Sequence, residues 1–125
     1  MHILIADDDP ISREITLHIL IHAGYRVTAV NDGAAALQAL LTGDFAIALL
    51  DLYMPSMRGD NVAQAVTARL SADKRPLLIG FSAMVTHHDE DQGGSVGFDA
   101  YLSKPLQIEA FKKLSEQAAS TKIDR

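Results

Sequence analysis

Short apolar runs alternate with longer segments of helical periodicity along the whole chain. Five apolar runs are predicted to be strands, at residues 2–6, 25–30, 45–50, 77–81 and 100–102. The run at 45–50 is apolar throughout, which is typical of a central strand covered by helices on both faces. Strands that alternate with helices in this way favour a parallel α/β sheet.

The helix between the first two strands is bounded by residues that favour helix ends. Asp9 is suited to the N-cap and Pro10 to the first helical position, and Gly24 stops the helix. One face of this helix carries three isoleucines: Ile11, Ile15 and Ile19. A second helix begins at the turn at residues 31–33 and ends at Gly43.

Two later helices have clear inner faces. The helix after the third strand is predicted to direct four residues inward: Val62, Ala65, Val66 and Leu70. The last helix has a similar stripe: Ile108, Phe111, Leu114 and Ala118. Residues 86–96 should also be helical by alternation, but Gly93 and Gly94 each cost about 1 kcal/mol relative to alanine inside a helix. We therefore expect that segment to be short or mobile.

These elements form five β-α units and predict an α/β fold, a (βα)5 doubly wound sheet of five parallel strands. The 125 residues and 13.5 kDa correspond to one domain. Hydrophobic residues at 48% and charged residues at 22% are typical of a globular chain. We assign residues 1–119 to this domain and residues 120–125 to a C-terminal tail.

The charge balance narrows the possible functions. A net charge of -5 disfavours direct nucleic-acid binding, because no basic surface is available for a phosphate backbone. The absence of cysteine excludes a disulfide framework, a thiolate metal site and a cysteine nucleophile.

The apolar runs are too short to span a bilayer, and the N-terminus has no signal pattern. We therefore expect a cytoplasmic chain without membrane insertion.

Polar or charged residues stand within a few positions after four of the predicted strands: Asp7, Asp8 and Asp9; Asp51; Ser82; and Lys104. In an open parallel sheet, ligands bind outside the carboxyl ends of the strands. Several carboxylates at one edge repel each other unless a cation is present.

Magnesium is suited to this edge, because it prefers oxygen ligands from one or two carboxylates together with water and phosphate oxygens. Asp8 and Asp51 could supply the carboxylates, Lys104 a fixed positive charge and Ser82 a hydroxyl donor. An aspartate nucleophile, a divalent ion, an ammonium and a hydroxyl around one point are what in-line phosphoryl transfer to a carboxylate requires.

Each of these residues also has an ordinary structural interpretation. The acids at 7–9 could cap the first helix, and Asp51 could be a strand-end turn residue. Ser82 could be another cap, and Lys104 with Pro105 a simple turn. The combination favours a site, because chance would not place all of them at the carboxyl ends of core strands.

At these residues the chain resembles the receiver domains of two-component response regulators and hybrid sensor kinases. The resemblance covers residues 2 to about 114 and rests on four motifs: ILIADDDP at 3–10 with Arg13, LLDLYMP at 49–55 with Gly59, FSA at 81–83, and AYLSKP at 100–105. The receivers of hybrid kinases are the more similar group, through GFDAYLSKP at 97–105.

The resemblance implies the flavodoxin-like strand order 2-1-3-4-5 and a role for each site residue. Asp51 would be the phosphoacceptor. Mg2+ would be held by Asp51, directly by Asp8, through water by Asp7, and by the backbone carbonyl of Tyr53. Lys104 would pair with the phosphoryl group.

The resemblance also implies a switch. Ser82 would bond the phosphoryl group after transfer, which would let Tyr101 turn inward as the readout. The peptide between Lys104 and Pro105 is commonly cis in this family.

The implied function is phosphorelay signal transduction. A histidine kinase or a histidine phosphotransfer protein would donate a phosphoryl group from phosphohistidine to Asp51, and the switch would change affinity for a downstream effector protein. The chain would promote its own phosphorylation and dephosphorylation without being a kinase. It would be a stand-alone receiver or one part of a larger kinase. The alternative is a degenerate receiver that acts only as a protein-interaction module, which the intact set of site residues disfavours.

Other classes fit the sequence less well. A haloacid-dehalogenase-like phosphatase needs a second aspartate two residues after the first, where this chain has Tyr53. A flavodoxin-like cofactor binder needs a phosphate-binding loop after the first strand, and none is present. His87 and His88 are adjacent, so they diverge on a helix and are better explained as a solvated face than as metal ligands. Met57, Phe111 and Leu114 are better explained as packing than as a cofactor site.

Two residues near the acceptor are bulky. Tyr53 and Met84 lie two residues after Asp51 and Ser82, where small polar residues are found in fast-cycling receivers. We therefore predict slow hydrolysis of the phosphoryl group, over many minutes or more.

Overall fold

The computed structural model describes residues 1–83 and 97–123, with side chains through residue 116. Its sheet has five strands: β1 (His2–Ala6), β2 (Arg26–Val30), β3 (Ile47–Asp51), β4 (Leu77–Ser82) and β5 (Ala100–Ser103). All neighbouring strands are parallel, in the order β2-β1-β3-β4-β5. The predicted fold class and strand order are confirmed.

Four helices lie in the described part of the chain: α1 (Pro10–His22), α2 (Gly33–Thr42), α3 (Gly59–Arg69) and α4 (Ile108–Ile123). The predicted N-cap of α1 is present, and α2 has an aspartate cap within the predicted turn at residues 31–33. The Asp9 carboxylate accepts a hydrogen bond from the N–H of Ile11 at 3.1 Å, and that of Asp32 accepts one from Ala35 at 2.8 Å. Within the described ranges, no helix has the length and apolar character needed to cross a bilayer.

Some sequence-based expectations concern residues outside the described ranges. These are the helix predicted at 86–96, with His87 and His88, and the side chain of Met84. Helix α4 continues to Ile123, across the boundary that we placed between residues 119 and 120.

Helices cover both faces of the sheet, because successive side chains of each strand point to opposite faces. On β1, Leu4 and Ala6 pack with residues of α2 and α3, and Ile3 and Ile5 pack with residues of α1 and α4. Phe111 is fully buried in the second of these layers, as expected for a packing residue. The two layers fix the strands, and the strands fix the residues at their carboxyl ends.

The buried face of α1 differs from the isoleucine face noted in the sequence. Ile11 is 71% exposed and Ile15 is 49% exposed, whereas Thr16 and Leu20 are buried. Helix α1 is apolar on more than one side, so its periodicity alone did not define which side meets the sheet. Ile19 is half-buried and packs against the core.

The buried face of α3 is also rotated slightly from the face predicted from the sequence. Val62 and Val66 are buried as predicted, but Ala63 is fully buried while Ala65 is only half-buried. Leu70 lies just after the helix and is half-buried against the core. Alanine fits on either side of a helix, so its burial depends on the neighbouring strand.

Candidate functional site

The predicted site residues lie at the carboxyl edge of the sheet. Asp7 follows β1, Asp51 ends β3, Ser82 ends β4 and Lys104 follows β5. Strands β1 and β3 are neighbours in the sheet, with Ala6 paired to Leu50. The acids that follow these two strands are therefore brought side by side.

Lys104 joins the two central carboxylates. Its Nζ donates to Oδ2 of Asp7 at 2.8 Å and to Oδ2 of Asp51 at 3.1 Å. The backbone N–H of Lys104 donates to the carbonyl of Ser82 at 2.7 Å, and its Nζ lies 5.6 Å from the centre of the Phe81 ring. The peptide between Lys104 and Pro105 is cis. Contacts with the end of β4 thus hold the ammonium over both acids.

Asp7 is fully buried and has several donors. Its Oδ1 accepts from the N–H of Asp9 at 3.0 Å, and its carbonyl accepts from Nη1 of Arg13 at 2.8 Å. Burial by itself raises the pKa of Asp7, but hydrogen bonds from Lys104, Ser12 and Asp9 outweigh it and hold that pKa below its ordinary value. Asp7 is therefore a stable negative charge at the base of the site.

Asp51 has a different electrostatic environment. Its Oδ1 accepts from the N–H of Tyr53 at 3.1 Å, and the residue is 7% exposed. Burial, together with the neighbouring Asp7, raises the pKa of Asp51, and the bonds from Tyr53 and Lys104 only partly offset this. The pKa of Lys104 is raised despite its burial, because both carboxylates favour the charged ammonium.

The loop after β3 turns back on Asp51, and this requires a glycine. A side-chain carbon at Gly59 would collide with the backbone carbonyl of Asp51. The N–H of Gly59 donates to the carbonyl of Leu52 at 3.2 Å. Gly59 therefore lets α3 begin directly against the end of β3.

Three acids could hold a metal ion. Asp7, Asp8 and Asp51 each offer a carboxylate oxygen, and these oxygens lie within 4.8 Å of one another. Asp8 is exposed, whereas the other two are buried. A set of carboxylate oxygens with one side open to water fits Mg2+, which keeps several of its waters.

Ser82 and Tyr101 lie on the β4–β5 side of the site. Ser82 is 5% exposed and pairs with Ser103 in the sheet. The ring of Tyr101 lies against Gly80, where an added side-chain carbon would come within 2.7 Å of it. Tyr101 is half-buried, with its ring 5.3 Å from that of Phe98. These contacts hold the tyrosine against the first core layer.

One group near the site was not found from the sequence. The guanidinium of Arg58 lies 5.0 Å from the centre of the Tyr53 ring and pairs with Asp60 at 3.1 Å. An arginine beside a glycine in a loop has no distinctive pattern. The motif at 49–55 and Gly59 pointed to this loop, but neither indicated a role for Arg58.

Fold and site together define a class, the receiver domains of two-component signalling, through the 2-1-3-4-5 parallel sheet and the acids and lysine at its carboxyl edge. The sequence model of the response regulator receiver domain matches residues 3–116, and the chain belongs to this family.

Curated relatives include sensor proteins of much greater length. The chain is 33% identical over 113 residues to the sensor histidine kinase RcsC of Salmonella typhi, which covers 90% of this chain and 12% of the kinase. It is 27% identical over 124 residues to the aerobic respiration control sensor protein ArcB of Escherichia coli K12, covering 99% of this chain and 16% of ArcB. The chain thus spans less than a fifth of these relatives.

Solved structures of response regulators share the fold. The response regulator TrrA of Thermotoga maritima is 26% identical, with a TM-score of 0.79 over 93% of this chain and 96% of that one. Its structure was solved in complex with Mg2+ and BeF.

Proposed function

We propose that Asp51 accepts a phosphoryl group from a phosphohistidine in a Mg2+-dependent reaction, and that the phosphorylated chain changes its affinity for a partner. The observation that carries this proposal is the contact of Lys104 with both Asp51 and Asp7 beside the acidic cluster. The phosphohistidine would belong to a histidine kinase or a histidine phosphotransfer protein, and the partner would be an effector protein.

Asp51 is a better acceptor than Asp7. The side chain of Asp7 is fully buried, so a donor cannot reach it. The side chain of Asp51 is 10% exposed, at the open end of β3. In the transfer, an oxygen of Asp51 forms a bond to phosphorus as the bond between phosphorus and the imidazole nitrogen breaks, and the imidazole leaves with the electron pair.

The acids supply the ligands for the metal. Asp8 and Asp51 would bind Mg2+ directly, Asp7 largely through water, and the carbonyl of Tyr53 would complete the protein's share. The ion, when bound, neutralises charge that develops on the phosphoryl oxygens. The Mg2+ and BeF in TrrA support a site of this chemistry in a relative with the same fold.

Lys104 and Ser82 would respond to the added charge. The ammonium already bonds Asp51, so it can pair with a phosphoryl oxygen after a small movement. The hydroxyl of Ser82, at the end of the adjacent strand, would donate to another oxygen. Tyr101, on the strand next to β4, would carry this shift to the surface formed by β5 and the helices that flank it.

We propose that the chain has no kinase activity of its own and promotes only its own phosphorylation and dephosphorylation. The matched segment covers only 16% of ArcB and 12% of RcsC, so these proteins are about six to eight times longer than the segment. Any kinase domain would lie elsewhere in such a protein. Residues 1–119 are proposed as the receiver domain, with 120–125 as a tail. A cytoplasmic location stays a prediction from the sequence.

The test is intact mass after incubation with acetyl phosphate, with and without Mg2+. We expect a Mg2+-dependent gain of one phosphoryl group, about 80 Da, that is absent in Asp51→Asn. Asp44→Asn is the matched control, because Asp44 is an exposed aspartate away from the site and its loss should change nothing. A phosphorylated Asp51→Asn variant would disprove the assignment of the acceptor.

A chain that gains no mass would next be given a phosphohistidine protein as donor. Transfer from that donor would support the proposal and would show that the chain accepts a phosphoryl group from phosphohistidine but not from acetyl phosphate. No transfer from either donor would favour the alternative, a degenerate receiver that acts only as a protein-interaction module.

A further inference from the structure

Two histidines of α1 lie one helical turn apart. His18 and His22 have the i, i+4 spacing that places two side chains on the same face of a helix. Both residues are exposed, and both line a groove between α1 and α4. This spacing is that of an imidazole pair that binds a metal ion on a helix, whereas His87 and His88 are adjacent in the sequence.

Glu14 extends this face by one more turn. It precedes His18 by four residues, so three groups that can bind a metal follow one another at i, i+4 and i+8. The Oε2 atom of Glu14 lies 3.2 Å from Nε2 of His18. The side chains of Glu14 and His18 are 62% and 76% exposed, so an ion from solvent can reach both.

The distance between these two atoms suits chelation of one ion. Transition-metal ions bind imidazole nitrogen and carboxylate oxygen at about 2.1 Å. Two such ligand atoms at a bond angle of about 90° to 110° are therefore about 3.0–3.4 Å apart. Glu14 and His18 have this separation in the structure, so an ion can bind between them with little movement of either side chain.

His22 supplies a second imidazole to the same face. It lies in the last turn of α1 and is exposed, so its ring can rotate towards His18 without disturbing the core. The buried residues of α1 are Thr16 and Leu20, which pack towards the sheet. Binding of an ion at the exposed face therefore does not compete with the packing of the helix.

The charges around the groove and the ligand types select the class of ion. Lys112 of α4 lines the same groove, and its positive charge opposes a cation, whereas the carboxylate of Glu14 attracts one. Imidazole ligands favour Zn2+, Ni2+ or Cu2+, whereas Mg2+ prefers oxygen ligands and water. This face of α1 therefore suits a different class of ion from the acids at the carboxyl edge of the sheet.

We propose that Glu14, His18 and His22 form a binding site on α1 for a divalent transition-metal ion such as Zn2+, with His18 as the central ligand. The ion joins consecutive turns of the helix and so stabilises α1. The three ligands are separate from Asp51 and the cluster around it, so this inference does not depend on phosphorylation of the chain.

The experiment is a calorimetric titration of the full chain with Zn2+ at neutral pH, where imidazole can bind a metal. We expect a binding event in the native chain. His18→Ala should weaken it by at least about tenfold, since even the loss of a group that only supports a metal ligand has an effect of about that size. His22→Ala and Glu14→Gln should each weaken it by a smaller factor, because two of the three ligands remain.

Three variants serve as controls. Glu109→Gln matches Glu14→Gln, because Glu109 is an exposed glutamate on α4, and it should leave Zn2+ binding unchanged. Asp8→Asn alters the acidic cluster at the edge of the sheet and should leave this event unchanged. The double substitution His87→Ala and His88→Ala removes the other histidine pair of the chain and should also have no effect.

A second measurement uses the native chain alone. Zn2+ should shift the NMR signals of the His18 and His22 rings at the same concentrations that produce the calorimetric heat. Equal Zn2+ affinity in the native chain and His18→Ala would overturn the inference. Loss of binding in Asp8→Asn but not in His18→Ala would place the ion at the acidic cluster and would overturn it too. So would a native chain in which Zn2+ produces neither heat nor a shift of the two ring signals.

Discussion

The ammonium of Lys104 donates to the carboxylate of Asp7 at 2.8 Å, although the two residues are 97 positions apart in the sequence. The carboxylate is fully buried and the lysine side chain is 16% exposed. A buried charge left without its partner is strongly unfavourable. This contact therefore ties the last strand to the first and places a cation where the proposed chemistry needs one.

Lys104→Ala should lower the free energy of unfolding by about 1–3 kcal/mol at neutral pH and low Mg2+. Loss of a fully buried partner costs roughly 3–5 kcal/mol, and solvent access to the lysine reduces this. Urea unfolding measures the change, with Lys113→Ala at an exposed position of α4 as control. Equal stability of Lys104→Ala and the native chain would mean that the ion pair contributes nothing to the fold.

Mg2+ should stabilise the native chain, because the proposed site of Asp7, Asp8 and Asp51 exists in the folded chain and not in the unfolded chain. At a concentration 100 times the Kd, the gain is about 2.7 kcal/mol. Thermal unfolding against Mg2+ concentration measures it. Asp8→Asn should weaken the dependence on Mg2+, whereas Asp44→Asn should leave it unchanged. A melting temperature that does not respond to Mg2+ in the native chain would contradict the metal site.

The difference in the free energy of unfolding between Asp51→Asn and the native chain should depend on pH. The folded pKa of Asp51 is raised by burial above its ordinary value of 3.8, so its charged form destabilises the fold. At neutral pH without Mg2+, Asp51→Asn should therefore be more stable than the native chain.

That advantage should shrink as the pH falls through the raised pKa of Asp51, and it should be gone below about 3.8, where the acid is protonated in both states. Asp7 affects stability in the opposite direction. Its pKa is lowered in the folded chain, so its charged form stabilises the fold at pH values above its ordinary pKa, and this contribution is lost in acid in both chains. Urea unfolding at several pH values measures the difference. If Asp51→Asn became increasingly more stable than the native chain towards low pH, a raised pKa for Asp51 would be contradicted.

Gly80→Ala should displace the Tyr101 ring. The added carbon would lie 2.7 Å from two ring atoms, and overpacking of this kind costs about 1–3 kcal/mol. The same substitution in a Tyr101→Ala background should cost less, because the ring is no longer there. Denaturant unfolding of the four chains gives the coupling. Equal costs in both backgrounds would mean that the ring does not need the glycine.

Much of the fold could be predicted from the sequence, because its signals are local. Alternation of apolar runs and helical segments located all five strands to within two residues, and Asp9 and the turn at residues 31–33 marked the starts of α1 and α2. Residues at strand ends must share one edge in a parallel sheet, so Asp7, Asp51 and Lys104 could be expected near each other.

The tertiary structure decided what depends on distant neighbours. Helix α1 has apolar residues on several sides, and only the position of the sheet selected Thr16 and Leu20 for burial and left Ile11 exposed. The register of the strands brings Asp7 and Asp51 close enough for both to contact the Lys104 ammonium. The series from Asp60 through Arg58 to Tyr53 needed the path of a loop, since contacts between side chains in a loop follow no period that a sequence displays.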